Sequence, residues 1–484
     1  RGRAKHRMKR RVLAGILILL SCIMCVACDN AKKSSHKEEK TSITIWHYYS
    51  GSQKAAFDRM VERFNETEGI KKGITVNVVA MDSISNLSEQ INASADKKVG
   101  AKALPDLFSA YVDMAETIDA KGLLVDMDQY FSKEELSGYV DAYIEEGRFD
   151  SAKSLKLFPI AKATEVMMVN KTKWDEFAAA CNIDISKLST WEGLAETAEL
   201  YYDWSGGKAM FGRDVMANYV LLGSLELGND IFQVKDGTLD FQMDKDVMRK
   251  LWDNYYVPYI SGYYRKEGRY ASDDLKIGDI IAYVGSTSSA AYFPDEVYYD
   301  AEDTGTQIEC MVLPVPDFEG KESYVIQQGA GMAMIHSDEK KEKASAEFLK
   351  WFTESEKNVS FAVESCYLPV TKESCHADYI RNIVEKENIK VSDKVLDTLT
   401  ISIEKMNQST TYTLPSFDNS YDAREVLETT LKDKAKNDRA AVLELTAQGM
   451  TEEDAVAQYD TEDSYQAWYQ DTVDQINRIL NLEK

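Results

Sequence analysis

The sequence predicts an α/β protein of two lobes with a ligand cleft between them. Thr41 to Val79 reads as strand, loop, helix, strand. Strand and helix then alternate to about Tyr143, and after a mainly helical middle the alternation returns from Asp279. A chain that goes back to strand and helix after a helical excursion points to lobes sharing several crossings, hence to a cleft with a hinge.

The first unit is the clearest. Ile43 to Trp46 is a β-branched and aromatic run, broken by Gly51 and Ser52. Phe57, Met60, Val61 and Phe64 recur at three- and four-residue spacing, one face of an amphipathic helix. Gly69 and Gly73 end it, and Ile74 to Val79 alternate as a second strand. Such a unit implies a parallel pair. His47-Tyr48-Tyr49-Ser50 then fall at the carboxyl end of the first strand, where α/β sheets place ligands.

Further on, Ser83 to Ala95 reads as a helix, Leu104 to Tyr111 as a short strand, Met114 to Ala120 and Lys133 to Tyr143 as helices. Leu155 to Asn170 carries two extended pieces joined by Lys162-Ala163-Thr164-Glu165, a candidate crossing between lobes. Trp174 opens the helical region, which includes Trp191 to Tyr202, Val215 to Leu227 and Val247 to Tyr256. Lys235-Asp236-Gly237 is a turn between two short strands. Asp279 to Val284 is a buried strand running into Gly285-Ser286-Thr287, and Met311 to Val315 is another. Tyr324 to Ile335 is a pair of strands or one strand interrupted at Gly. Ala344 to Thr353, Val359 to Val363 and the tail from Val426 to Leu482 are helical.

Charge narrows the function. The net charge is −24, and residues 1–27 hold seven basic groups and no acidic ones, so the chain from Cys28 onward carries −31. That excludes a nucleic-acid partner, which needs a basic face, and suits a solvated acidic surface on a monomer. Met8-Lys9-Arg10-Arg11 followed by apolar Val12 to Ala27 has the form of a signal peptide, with the seven residues ahead of Met8 outside it. Val26-Ala27-Cys28 resembles a bacterial lipobox, which implies cleavage before Cys28 and a lipid anchor on its sulfur; Cys25 stands where that pattern usually has Leu. The expected organisation is a signal peptide at 1–27, the lipidated Cys28 and a polar tether at 28–40, and an N-terminal lobe at 41–164 with later return segments. Residues 165–335 form mainly the C-terminal lobe, and 336–484 are helices returning across both lobes plus an acidic helical tail. Cys181, Cys310, Cys366 and Cys375 lack metal-ligand spacing. Cys366 and Cys375 are close enough in sequence to bridge, and free thiols are expected. No cofactor is implied: there is no GxxxxGK[ST] loop, so this chain hydrolyses no ATP.

Several residues are candidates for the cleft. His47 and Tyr48 follow the first strand, with packing as the alternative role. Glu165 at the crossing can accept solute hydroxyls or pair with Lys162 or Lys171. Gly285 and Ser286, with Thr287, can hold a hydroxyl or phosphate through backbone N–H groups, or simply cap a helix. Gln328 and Gly329, with Ala330, interrupt a strand and permit close approach of a ligand, or mark a bulge.

The mature chain resembles the extracellular solute-binding proteins of bacterial ABC importers, in the group that binds sugars and glycerol phosphodiesters. The resemblance rests on six stretches in order: ITIWHYYSGSQKAAFDRMVERFNE, LPDLFSAYVDMA, LKLFPIAKATEVMMVNKTKWDEF, IGDIIAYVGSTSSAAYFP, YVIQQGAGMAMI and AEFLKWFTESEKNVSFAVESCYLPVTKE. It implies a periplasmic-binding-protein-like fold, one small-molecule solute in the cleft, and delivery to permease subunits in the membrane. It also implies a second wall at Tyr111 and Asp113, with a surface cap as the alternative role of Tyr111, and a hinge corner at Tyr367, with packing as the alternative. Arg424, before a late helix, matches an Arg that reaches phosphate in the phosphodiester branch, the alternative being a helical pair with Glu428. With 27 Tyr and 7 Trp, a sugar is favoured over glycerol 3-phosphate or a glycerophosphodiester. A surface glycosidase or an adhesin is the remote alternative.

Overall fold

A computed structural model describes residues 40–235, 237–300 and 304–482. The signal peptide, Cys28 and the tether up to residue 39 lie outside the described residues, as does Asp236 of the expected turn.

Two sheets organise the chain. The first has five strands in the order Ile74–Ala80, Thr41–His47, Leu107–Ala110, Gly331–Met334, Leu157–Phe158. The first three run parallel, with Thr41 opposite Ile74 and His47 opposite Ala80, and helix Gly51–Glu66 makes the crossover that a parallel pair requires. Ile43 and Ile45 point to one face, onto Phe57, Phe64, Phe348 and Phe352. Trp46 and Phe108 point to the other, onto Leu87, Ile91 and Ile118. That alternation is the period of two a strand imposes.

The second sheet has the order Cys310–Leu313, Glu165–Asn170, Ala282–Ser286, Phe211–Arg213. Glu165–Asn170 is buried along its whole length because both its faces are covered. Met167 and Val169 pack with helices Met216–Glu226, Lys245–Ile260 and Ser420–Ala447. Val166 and Met168 pack with Ala377–Lys386 and Asp393–Gln408.

The expected crossing is present. Strand Leu157–Phe158 lies in the first sheet and Glu165–Asn170 in the second. Two further segments pass beside it, with Lys162 bridged to Leu368 and Ala163 to Gln328. Tyr324–Ile326 and Gly331–Met334 are separate strands, the former paired with Thr410–Tyr412. One expected helix is corrected: Lys133 to Tyr143 is two helices, Lys133–Ser137 and Asp141–Glu146, the first ending at its C-cap Gly138. Cys181, Cys310, Cys366 and Cys375 are free thiols. No described helix is long and apolar enough to cross a membrane.

Candidate ligand-binding cleft

The N-terminal wall is aromatic. His47 ends the first strand but is completely buried, with its ring 4.8 Å from Phe57 and 5.2 Å from Tyr49. Its Nδ1 accepts the Tyr49 N–H at 3.2 Å, and burial lowers its pKa to about 4, so it is a neutral core imidazole. Tyr49 packs beside it at 2% exposure. Tyr48 is half-buried, its ring 5.4 Å from that of Tyr49 and 6.4 Å from that of Tyr111. Tyr111 caps helix Val112–Asp119 and is 42% exposed, while burial of its hydroxyl end raises the pKa of that group. Tyr367 is buried against Tyr49 and Phe361, with its hydroxyl coupled to that of Tyr48. Burial pushes the Tyr48 and Tyr367 hydroxyls up as well. The three phenols are therefore neutral at physiological pH and both donate and accept hydrogen bonds.

The hinge forms the floor. Gly329 has φ +101°, and a Cβ there would lie 3.1 Å from the Ala161 carbonyl oxygen and 3.2 Å from Lys162 Cα, so only glycine fits without strain. The Gln328 backbone exchanges two hydrogen bonds of 2.8 Å with Ala163. The Thr164 carbonyl accepts the Thr287 N–H at 2.8 Å, and Thr287 Oγ1 accepts the Thr164 N–H at 3.2 Å. Gly285 lies within the buried strand, and Ser286 caps the short helix Thr287–Tyr292 by accepting the Ser288 N–H at 3.3 Å. Both residues thus have structural roles of their own.

The C-terminal wall is a polar chain. Glu165 is 4% exposed, and its Oε1 accepts from Arg213 Nη2 at 2.6 Å and from Asn218 Nδ2 at 3.0 Å. Its partner is therefore neither Lys162 nor Lys171: Lys162 pairs with Glu146, and Lys171 with Asp175. Arg213 also donates to the carbonyls of Asp214 and Val215 and lies over Trp191 and Tyr219. Val215 has φ +50°, a costly conformation for a β-branched residue. Strain of this kind persists where surrounding bonds over-determine it, and such places cluster at functional sites. Asn218 Oδ1 accepts from Arg424 Nη2 at 3.0 Å. Arg424 does not pair with Glu428, whose Oε2 accepts the Ala217 N–H at 2.9 Å. Burial raises the Tyr111 and Tyr412 hydroxyls, and the Arg424 charge offsets part of that rise.

The walls meet at two edges. Glu116 of the first lobe accepts a hydrogen bond from Ser416, and the Tyr292 hydroxyl lies 3.4 Å from where a Cβ on Gly51 would stand. Tyr48, Tyr111 and Tyr367 are thus brought together, and Glu165, Arg213, Asn218 and Arg424 form a separate polar chain, whereas His47 is withdrawn into the core. Arg213, Asn218 and Tyr412 escaped sequence reasoning. The signals were faint: a charged pair, Arg213-Asp214, at a strand end, and a lone Asn in the apolar run MANYVLLG.

Residues 59–385 match the family model described as bacterial extracellular solute-binding protein. The chain belongs to this family. Among solved structures, this solute-binding protein is similar to the cyclic alpha-maltosyl-1,6-maltose binding protein from Arthrobacter globiformis, with TM-score 0.63 and 17% identity over 90% of this chain and 99% of that one. An ABC substrate-binding protein from Listeria monocytogenes in complex with cycloalternan gives TM-score 0.63 and 14% identity over 91% and 99%. UgpB from Mycobacterium tuberculosis in complex with glycerophosphocholine gives 0.62 and 15% over 89% and 99%. At these identities the likeness is one of fold, the two-lobed periplasmic-binding-protein-like architecture. No curated protein sequence matches the chain.

Proposed function

We propose that this solute-binding protein captures an extracellular carbohydrate, a mono- or oligosaccharide, between its lobes and delivers it to the membrane permease of an ABC importer. The observation that carries the proposal is the wall of three neutral tyrosines, Tyr48, Tyr111 and Tyr367. Aromatic faces stack on the apolar side of a sugar ring, while phenolic hydroxyls exchange hydrogen bonds with its hydroxyls. The names of the similar structures agree, since two bind cyclic oligosaccharides. Closure of the lobes around the solute and its release supply the function, with no catalytic residue. In this proposal Cys28 carries a lipid that holds a monomer on the extracytoplasmic face of the cell membrane. The N-terminal lobe comprises residues 41–164 with later return segments.

A glycerol phosphodiester or glycerol 3-phosphate is the second reading, favoured by one feature: Arg424 makes no ion pair among the described residues, and a guanidinium suits phosphate. The test is a thermal-shift and calorimetric screen with maltose, maltotriose, cycloalternan and glycerophosphocholine. A solute at 100 times its dissociation constant stabilises the fold by about 2.7 kcal/mol. Saccharide binding that Tyr111→Ala weakens supports the proposal. A response to glycerophosphocholine alone selects the second reading, and hydrolysis of a saccharide by pure protein would overturn both.

A further inference from the structure

Asn218 stands in the first turn of helix Met216–Glu226 and is completely buried. A buried amide is costly unless both its ends are bonded. Here both are, in an orientation that is not interchangeable. The Glu165 carboxylate can only accept, so Nδ2 faces it; the Arg424 guanidinium can only donate, so Oδ1 faces that.

The charges along this chain are not shared evenly. Glu165 is tied to Arg213 in a fully enclosed ion pair, with side-chain exposures of 2% and 0%. What reaches Arg424 is therefore a neutral amide. The other natural partner, Glu428 one turn along the same helix, is turned away to the Ala217 N–H and to Lys432 at 3.4 Å. Arg424 has no acidic partner among the described residues, and its Nε has no hydrogen-bond partner. Two anchors fasten the long helix to the first turn of Met216–Glu226, one through Glu428 and one through Arg424. Only the second leaves a cation with donors to spare.

We infer that Asn218 is the positioning residue of the cleft: it holds Arg424 by a hydrogen bond to a neutral amide, so that the guanidinium is left without a counter-charge and can take its anionic or polar partner from the bound solute. The inference rests on the cleft being the ligand site. It assigns Asn218 no contact with the solute.

Two measurements test it. The first needs no ligand. In the nitrogen–proton NMR spectrum of arginine side chains, the Arg424 signal is assigned by its loss in Arg424→Lys. It is expected to move and broaden in Asn218→Leu, while that of Arg439, which bonds the Ile260 carbonyl and Glu452, stays in place. An unmoved Arg424 signal would overturn the inference.

The second is binding of maltotriose and glycerophosphocholine. Loss of one hydrogen bond to a charged group is expected to weaken whichever probe binds by roughly 10- to 100-fold in Asn218→Leu. In an Arg424→Gln background the same change should cost no further affinity. Equal losses in the two backgrounds would show that Asn218 does not act through Arg424. If Asn218→Leu fails to fold, Asn218→Asp serves. It keeps the acceptor toward Arg424 and sets a counter-charge beside the cation, while giving up the donor to Glu165, so a sharp Arg424 signal with weakened binding is expected, and unchanged affinity would overturn the inference. If neither probe binds, the ligand proposal fails while the NMR measurement still decides the role of Asn218.

Discussion

Lys162 and Glu146 form an ion pair inside the hinge, and the Lys162 side chain has no exposed surface. The ammonium also donates to the Gly329 carbonyl at 3.3 Å and lies 5.6 Å from the centre of the Tyr143 ring. One side chain thus ties the 157–170 crossing both to helix Asp141–Glu146 and to the crossing that passes through Gly329. Removing one partner of a buried pair strands the other, at a cost of about 3 kcal/mol or more. Lys162→Met is expected to lower the denaturation midpoint accordingly, and adding Glu146→Gln should restore a good part of it. Equal midpoints for the single and double variants would mean the pair is not what holds this hinge.

Tyr111 is expected to separate binding from stability. At 42% exposure its ring contributes little to the core. Tyr111→Ala should leave the melting temperature of the ligand-free protein within a degree or two, yet weaken the bound saccharide by about tenfold, the value of a stacked ring. Tyr111→Phe should retain most of the affinity if stacking dominates. A similar loss in both variants would assign the effect to the hydroxyl instead.

Glu226 gives a pH dependence. Burial raises its pKa from 4.5 to about 8, with the Phe318 N–H as hydrogen-bond donor at 2.7 Å and Asp317 adding a like charge. The folded state therefore holds a proton that the unfolded state has released between these values. Its contribution to stability is complete below pH 4.5 and is lost as pH rises toward 8, by at most about 1.4 kcal/mol per pH unit. Glu226→Gln stays neutral, so the stability difference from wild type should grow in the variant's favour from pH 5 to pH 8 and then level off. Urea unfolding at several pH values reads this directly; a flat difference would refute the shift.

Val215 stores strain at φ +50°. Val215→Gly and Val215→Ala remove the same packing to within one methyl group, but only glycine is at ease in this region. The Gly variant is expected to be more stable than the Ala variant by about 1 kcal/mol. The reverse order in a denaturant titration would show that the corner relaxes when Val215 is removed.

The fold was more legible in the sequence than the site. Strand Thr41–His47, helix Gly51–Glu66 and the interruption between Tyr324–Ile326 and Gly331–Met334 follow from spacing and from glycine, which are local signals. The cleft was legible only in outline. At the end of the first strand, a candidate place for a ligand, adjacent residues differ: His47 is fully buried on Phe57, while Tyr48 is half-buried between Tyr49 and Tyr111. For Glu165 the sequence offered Lys162 and Lys171 as neighbours, whereas the carboxylate meets Arg213, 48 residues on, because that strand lies beyond Ala282–Ser286 in the same sheet.

By itself, the sequence determined the two-lobed α/β plan, the acidic character and the approximate crossing at residues 162–165, because backbone sterics and amphipathic period act within a few residues. Only the tertiary structure decided which polar groups answer one another. Arg424 and Tyr111 stand over 300 residues apart, and no local rule brings the charge of one near the hydroxyl of the other. Nor does one direct Glu428 to the Ala217 N–H and leave Asn218 to hold Arg424. Hydrogen bonding and desolvation belong to pairs in space, and the pairs exist only once both sheets and their covering helices have packed.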